Sequence, residues 1–259
     1  MVSAVYSIIV FITSATLLVL GLVVFLHSFP PISARFSNVF HIAFSQSDLP
    51  ILVVSDLHLG SRSSLGAKLL VSVLRHSSAR AIVVAGDLFD KKTLLNNKAL
   101  SLLRRLTAGS VRVVIYVPST SSHDLVDIPR EAVVREIDGK KVFVFPKAVA
   151  ISVEKCLGKL YVTHGDIAIR NGVAAHITDV LTSKIFSKTF TGAVLRKKLG
   201  LGDLDWLIHG HTHIAQINRQ YKVASTGCWI DRPHEKIERA FAVVSCSEGV
   251  LDVKLIRIP

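Results

Sequence analysis

Apolar positions are arranged in two ways along the chain. Residues 2–26 are apolar on every side, and the first charged side chain is Arg35. From residue 51 onward, short apolar runs alternate with turn signals. The first arrangement predicts a transmembrane helix over residues 1–28, because about 25 apolar residues cross a bilayer with some tilt. A helix buried in a soluble core would carry a polar stripe, and this one has none. Pro30 and Pro31 cannot continue a helix and end it. Residues 29–50 are expected to be a linker, and residues 51–259 a single folded domain.

Within that domain the runs at 51–55, 81–85 and 111–117 are short and β-branched, as buried strands are. Apolar positions at helical spacing fall between them, over 67–76 and 98–106. The order β-α-β-α-β predicts an α/β fold with a largely parallel sheet covered by helices. Strand-like runs follow at 141–145, 149–153 and 160–163, then a helical region over 173–199. Strands at 206–209, 214–217, 221–224, 240–246 and 250–256 complete the chain.

Composition changes this picture in two respects. The formal net charge is +12, and all 31 Lys and Arg residues follow the first helix. The positive-inside rule then places the domain on the cytoplasmic face of a membrane as a single-pass protein. A secretory signal peptide is disfavoured, since no Lys or Arg precedes the apolar run and Ile32 is too large for a cleavage site at Ala34. The charge suits anionic lipid, nucleotides or nucleic acid equally. Cys156, Cys228 and Cys246 follow no metal-binding spacing, and core packing in a reducing compartment is expected for all three.

Residues able to bind metal fall just past the ends of the apolar strands, where open α/β sheets keep their sites. Asp56-Leu57-His58 follows the first strand and Gly86-Asp87 the second. His123-Asp124 follows the third after a loop, and two later strands end in His164-Gly165-Asp166 and His209-Gly210-His211-Thr212-His213. Mixed carboxylate and imidazole donors suit zinc, iron or manganese. Alternate residues of extended chain point the same way, which pairs Asp56 with His58 and His211 with His213. The alternative is that these are unrelated turn residues, and the recurrence of five pieces at five strand ends speaks against it.

The series Asp56-x-His58, Gly86-Asp87, His123-Asp124, His164 and Gly210-His211-x-His213 resembles the calcineurin-like metallophosphoesterase superfamily from about residue 51 to the end. The resemblance implies a two-sheet sandwich flanked by helices, with a site for two divalent metal ions at its edge, and a catalytic domain over 51–259. By matching position, Asp56, His58, Asp87 and His213 hold one ion, and Asp87 bridges to a second held also by His164 and His211. His123 sits near the leaving group and Asp124 orients it. Two cations about 3.5–4 Å apart clamp the attacking and leaving oxygens of an in-line displacement. The chain departs from the pattern at Ser122, where family members have an asparagine whose carbonyl binds the second metal. A serine hydroxyl is a poorer neutral ligand, so a weaker second site is expected.

The expected function is metal-dependent hydrolysis of a phosphate monoester or diester at a membrane surface, with manganese, iron or zinc. The segment 180–199 mixes apolar residues with Lys184, Lys188, Arg196, Lys197 and Lys198. It reads either as a helical pair with a solvated basic face or as a lid on the membrane surface that admits a phosphorylated lipid. Substrates are therefore a phosphorylated small molecule or a lipid. Two rivals stand beside this reading: a membrane-tethered scaffold that keeps the fold with weak or no catalysis, and a nuclease. No aromatic interleaving of the basic runs favours nucleic acid. His27, His41, His76, His176 and His234 are expected to be structural or surface residues, and Trp229 to lie near the pocket.

Overall fold

The computed structural model of the protein describes residues 2–29, 36, 39–60, 64–230 and 238–258. Pro30, Pro31 and His234 lie outside them. The chain opens with helix α1, Val2–Ser28. Its described apolar side chains, among them Phe11, Leu17, Leu18 and Val23, are exposed. Core burial of this helix is thereby excluded for those residues. The transmembrane span expected here is not found: among the described residues, no helix is long and apolar enough to cross a membrane.

Among the described residues, the following strands and α-helices come next in chain order. They are β1 (Phe40–Phe44), β2 (Ile51–Val54), α2 (Ser64–His76), β3 (Ala81–Ala85), α3 (Asn97–Arg105) and β4 (Val113–Val117). Next come β5 (Val133–Ile137), β6 (Lys140–Val144), β7 (Ala148–Val153), β8 (Lys159–Thr163), α4 (Gly172–Phe186) and α5 (Phe190–Leu199). The chain closes with β9 (Trp206–His209), β10 (Ala215–Asn218), β11 (Val223–Thr226), β12 (Arg239–Ser247) and β13 (Val250–Ile258).

These strands form two sheets. One has the order β13-β12-β2-β3-β4-β6-β5 and the other β1-β7-β8-β9-β11-β10. Strands β2, β3 and β4 are parallel, as the alternation of strand and helix predicts, and β6 joins them in parallel without an intervening helix. Alternate residues of each strand serve two cores. Ile51, Val53, Ala81, Val83 and Ile115 meet Val149, Ile151, Val162 and Ile208 between the sheets. Leu52, Val54, Ile82, Val84 and Val114 face α2 and α3, where Leu70, Leu74 and Leu103 cover them. A third core packs Ala150, Tyr161 and Leu207 under α4 and α5 through Ala175, Val194 and Leu195. Burying a Leu, Ile or Val contributes about 1.5–3 kcal/mol, so these layers set the positions of the strand ends.

Three expectations are corrected. Residues 40–44, read as linker, form β1 in parallel register with β7, and Phe40 packs against Phe145. The apolar Phe40, Ile42 and Phe44 of an edge strand need cover from one side, and β7 supplies the backbone partners. Strand β5 was not expected because Arg135 and Glu136 interrupt it. It lies at the open edge of its sheet, where charged side chains remain in water.

Cys156 and Cys246 are not packed thiols. They form a disulfide with a Cα–Cα distance of 6.1 Å, and only Cys228 is free. The turn after β7 meets β12 there, a pairing between residues 90 apart that no spacing rule supplies. Reducing the bond is expected to lower the unfolding free energy by about 2–4 kcal/mol. Urea midpoints with and without reductant measure this, and equal midpoints would show that the bond adds nothing.

Candidate metal centre

Every candidate ligand sits on a loop leaving the C-terminal end of a strand. The loops are fastened to one another by backbone hydrogen bonds that continue the parallel ladder. Asp56 N donates to Gly86 O (3.2 Å), His58 N to Asp87 O (3.0 Å), Phe89 N to His123 O (3.0 Å) and Gly210 N to His164 O (2.9 Å). Asp56, His58, Asp87, His211 and His213 all have positive φ. For residues with a Cβ this conformation costs about 1 kcal/mol or more each and persists only where the surroundings enforce it. Such strain concentrates at functional sites, and here it falls on five of the expected ligands. A Cβ on Gly86 would lie 2.4 Å from the His164 ring, and one on Gly210 would lie 2.5 Å from Asp56 Oδ2. Glycine is therefore what allows the histidine and the carboxylate to approach.

The side chains converge. Asp87 Oδ1 is 3.5 Å from His164 Nε2, and its Oδ2 is 3.8 Å from His58 Nε2. Asp56 Oδ1 is 3.3 Å from His213 Nε2. Donor atoms of Asp56, His58 and Asp87 lie within 4.8 Å of one another. Each of two further imidazoles is held by one nitrogen, which leaves the other bare. His164 Nδ1 donates to Ala85 O (2.9 Å), and His211 Nε2 donates to Ile169 O (2.7 Å). The remaining nitrogens, His164 Nε2 and His211 Nδ1, face each other at 3.1 Å. Two lone pairs at that distance require a proton or a metal ion between them. The residues therefore fit a divalent metal centre.

The ionisation of the metal-free site follows the same logic. Burial pulls His164 down, but Asp87, Asp56 and Asp166 outweigh it and hold its pKa up to about 9. Burial likewise opposes the proton on His213, yet the carboxylate of Asp56 beside it raises the pKa to about 11. Burial wins at His58 and, together with the charge on His164, at His211; both are lowered to about 4. Burial alone would raise Asp56 and Asp87, but the surrounding imidazoles hold both below the usual carboxylate range.

The expected roles of the third motif change in detail. His123 lines the site, its ring 4.7 Å from that of His58 in an edge-on contact. Its Nδ1 donates to the carbonyl of Asp90 at 2.9 Å. The carboxyl of Asp124, expected to orient His123, is bonded to backbone N–H groups. The Asp124 Oδ2 accepts from Asp87 N (2.8 Å) and Ser119 N (2.7 Å), so this carboxyl anchors the metal loops, and burial pushes its pKa well above normal. Ser122 is exposed. The hydroxyls that reach Asp87 Oδ1 belong to Ser119, at 2.7 Å, and Ser121. Ser122→Ala is accordingly expected to leave metal stoichiometry unchanged, whereas Ser122→Asn raises affinity for the second ion. Elemental mass spectrometry after desalting checks both; loss of metal from Ser122→Ala would make Ser122 a ligand after all.

Sequence reasoning missed three residues. Asp166 accepts from Thr120 N (2.7 Å) and from the Thr120 hydroxyl (2.5 Å), which ties the serine-rich loop to the His164 strand. His176 lines the metal-site cavity through the start of α4. Its place on a predicted helix gave no hint of this, because the helix had to be docked first. Cys228 lies beside His58 and His213. Trp229 adjoins the site through its backbone, its N–H donating to Asp56 O at 3.0 Å, while its side chain is fully buried in the core under α2.

A cavity of about 740 Å³ opens over the ligands, lined also by Arg170, Asn171 and Val173 at the start of α4. Two sheets in a sandwich flanked by helices, with Asp and His donors gathered at the strand ends, define a metal-dependent phosphoesterase fold. A family profile of calcineurin-like phosphoesterases matches residues 49–215. The chain belongs to the calcineurin-like phosphoesterase family. No curated protein matches it in sequence. Among solved structures, it is similar to a single mutant of Vps29 from Entamoeba histolytica, with 16% identity over 82% of this chain and 100% of that one and a TM-score of 0.42. Vps29 from Chaetomium thermophilum is 12% identical over 82% of this chain and 96% of that one, with a TM-score of 0.46. A predicted phosphoesterase from Streptococcus pneumoniae is 14% identical over 80% and 97%, with a TM-score of 0.38.

Proposed function

We propose that the protein hydrolyses phosphate esters using two divalent metal ions held by Asp56, His58, Asp87, His164, His211 and His213. The observation that carries this reading is the facing pair of imidazole nitrogens, His164 Nε2 and His211 Nδ1 at 3.1 Å, beside the carboxylate of Asp87. When bound, the ions supply Lewis acidity to the phosphoryl oxygens and hydroxide at neutral pH. The chain's own groups do the rest. Arg170 at the cavity rim offers positive charge to the phosphate. His123, fixed at Nδ1 by Asp90 O, keeps Nε2 for a proton given to the leaving oxygen.

A membrane-surface setting belongs to the same proposal. On α4, Val173, Ile177, Leu181 and Ile185 are 70%, 53%, 55% and 69% exposed. At successive fourth positions they form one apolar stripe, which begins at the cavity rim. Lys184 and Lys188 lie near its far end. Arg170 N donates to Ser28 O at 2.8 Å, which brings the end of α1 to the start of α4. An apolar stripe that begins at the cavity rim supports a bilayer-bound phosphate ester as substrate. Changing Ile177 and Leu181 to Ser is expected to cut hydrolysis of a phospholipid in anionic vesicles about tenfold or more, at roughly 3 kcal/mol of lost apolar contact. Hydrolysis of a soluble aryl phosphate is expected to stay unchanged; equal losses on both substrates would remove the membrane setting.

The exposure of Ser122, where an amide ligand is expected, favours a second reading, in which the domain binds metal but serves as a scaffold. One experiment separates the two. The full chain in detergent is equilibrated with manganese, desalted and assayed by elemental mass spectrometry and against aryl phosphate mono- and diesters. Two ions per chain with turnover support the hydrolase. Two ions without turnover support the scaffold, and fewer than one ion overturns both.

A further inference from the structure

Cys228 is the one described cysteine outside the disulfide, and it is buried. It follows β11 after Gly227, whose φ is +71°. A Cβ at Gly227 would lie 1.9 Å from the carbonyl oxygen of Glu238, so this turn tolerates no side chain. Cys228 N donates to Glu238 O at 3.0 Å, and Trp229 N donates to Asp56 O at 3.0 Å. The thiol is thereby fastened against the backbone of the first metal-binding loop, and Cys228 Sγ lies 3.8 Å from Asp56 O.

The donor atoms of His58, His213 and Cys228 lie within 4.8 Å of one another. His58 belongs at the same time to the cluster with Asp56 and Asp87. The thiol is thus one corner of a three-donor group that shares a histidine with the carboxylate site. Asp56 Oδ1, fully buried, lies beside it and faces His213. In a tetrahedral zinc site, nitrogen at about 2.0–2.1 Å and sulfur at about 2.3 Å from the ion stand roughly 3.5 Å apart. Movement on the order of an ångström in side chains brings the three donors to that spacing.

We infer that Cys228 binds, as thiolate, the metal ion held by His58 and His213, and that this donor biases the centre toward zinc. The inference rests on the metal-centre reading above and adds to it a ligand that carboxylate and imidazole alone do not provide. A soft thiolate selects zinc and cobalt over manganese and magnesium, which take hard oxygen donors. Binding releases the thiol proton to solvent as the sulfur–metal bond forms, with no change of oxidation state.

The test uses the full chain, stripped of metal and titrated with cobalt(II), with the absorption spectrum as readout. The visible d–d bands report any bound cobalt. A near-ultraviolet sulfur-to-cobalt charge-transfer band reports a thiolate ligand. The expected result is both bands in the unaltered protein, and d–d bands without the charge-transfer band in Cys228→Ser. Zinc affinity in that variant is expected to fall about tenfold or more, at least what loss of an outer-shell partner costs, while manganese affinity holds within a few-fold. Cobalt bound with d–d bands but no charge-transfer band in the unaltered protein overturns the role of Cys228 and leaves the metal centre standing. Absence of both bands overturns the metal-centre reading itself. A measurement that needs no variant runs beside it: zinc is expected to slow alkylation of the single free thiol at least tenfold, and an unchanged rate counts against ligation.

Discussion

Asp87→Asn is expected to lose at least one metal ion per chain and to lower kcat/KM on aryl phosphates by a hundredfold or more. Asp87 is buried, and its two oxygens lie 3.5 Å from His164 and 3.8 Å from His58. Its carboxylate thus spans histidines of both halves of the centre. Removing one member of a buried charged pair costs about 3–5 kcal/mol, which is two to four decades in an equilibrium constant at about 1.4 kcal/mol per decade. The fold is expected to survive. The loop is anchored through Asp87 N to Asp124 Oδ2 at 2.8 Å, and the substitution leaves that backbone bond in place. Elemental mass spectrometry, kinetics and circular dichroism on one preparation check the three parts. Retention of two ions at full affinity would show that Asp87 does not bridge.

Metal uptake is expected to strengthen as pH rises from about 7 to about 9. In the metal-free protein the pKa of His164 is held at about 9, so at neutral pH a metal ion must displace its proton. Each proton displaced makes the apparent affinity rise about tenfold per pH unit, and the contribution of His164 levels off above its pKa. His213, raised to about 11, adds a second proton. Its side chain is 34% exposed, so solvent screens part of the pull from Asp56 and its contribution is the smaller. His58 and His211, lowered to about 4, are already neutral at pH 7 and release nothing. Calorimetry in buffers of different ionisation enthalpy counts the protons, with between one and two expected from the imidazoles at pH 7 and one more from the Cys228 thiol that binds as thiolate. A count of zero would mean that His164 is neutral in the metal-free protein.

The same shift has the opposite consequence for the metal-free fold. The folded state keeps the His164 proton after the unfolded chain, with a pKa of about 6.5, has lost it. Stability from this group is therefore present in full below about pH 6.5 and is lost as pH rises through about 9. Metal-free protein is expected to weaken over the window in which metal binds more tightly, so that added metal stabilises most near pH 9.

The sequence by itself determined the parallel strands and the ligands at their ends. Runs such as 51–54 and 81–85 are apolar on both faces, and only a strand covered on both sides buries them. Asp56, His58, Asp87, His164, His211 and His213 stand immediately beyond such runs, where local chain direction already aims them at one edge. Three other matters depended on partners distant in sequence. Asp124 follows His123 directly, yet its carboxyl turns to the backbone of Asp87 and Ser119, where it accepts from two buried N–H groups. Which serine reaches Asp87 was decided by the path of the loop and not by alignment to a motif, and it is Ser119 and Ser121 that do so. The cysteines are the plainest case. Their spacing carries no pattern, and only the docking of β12 beside the turn after β7 pairs Cys156 with Cys246, leaving Cys228 to face His58 and His213. Local sequence dictates periodicity and strand ends, since those depend on neighbours a few residues away; contacts across 90 or more residues exist only once the sheets have packed.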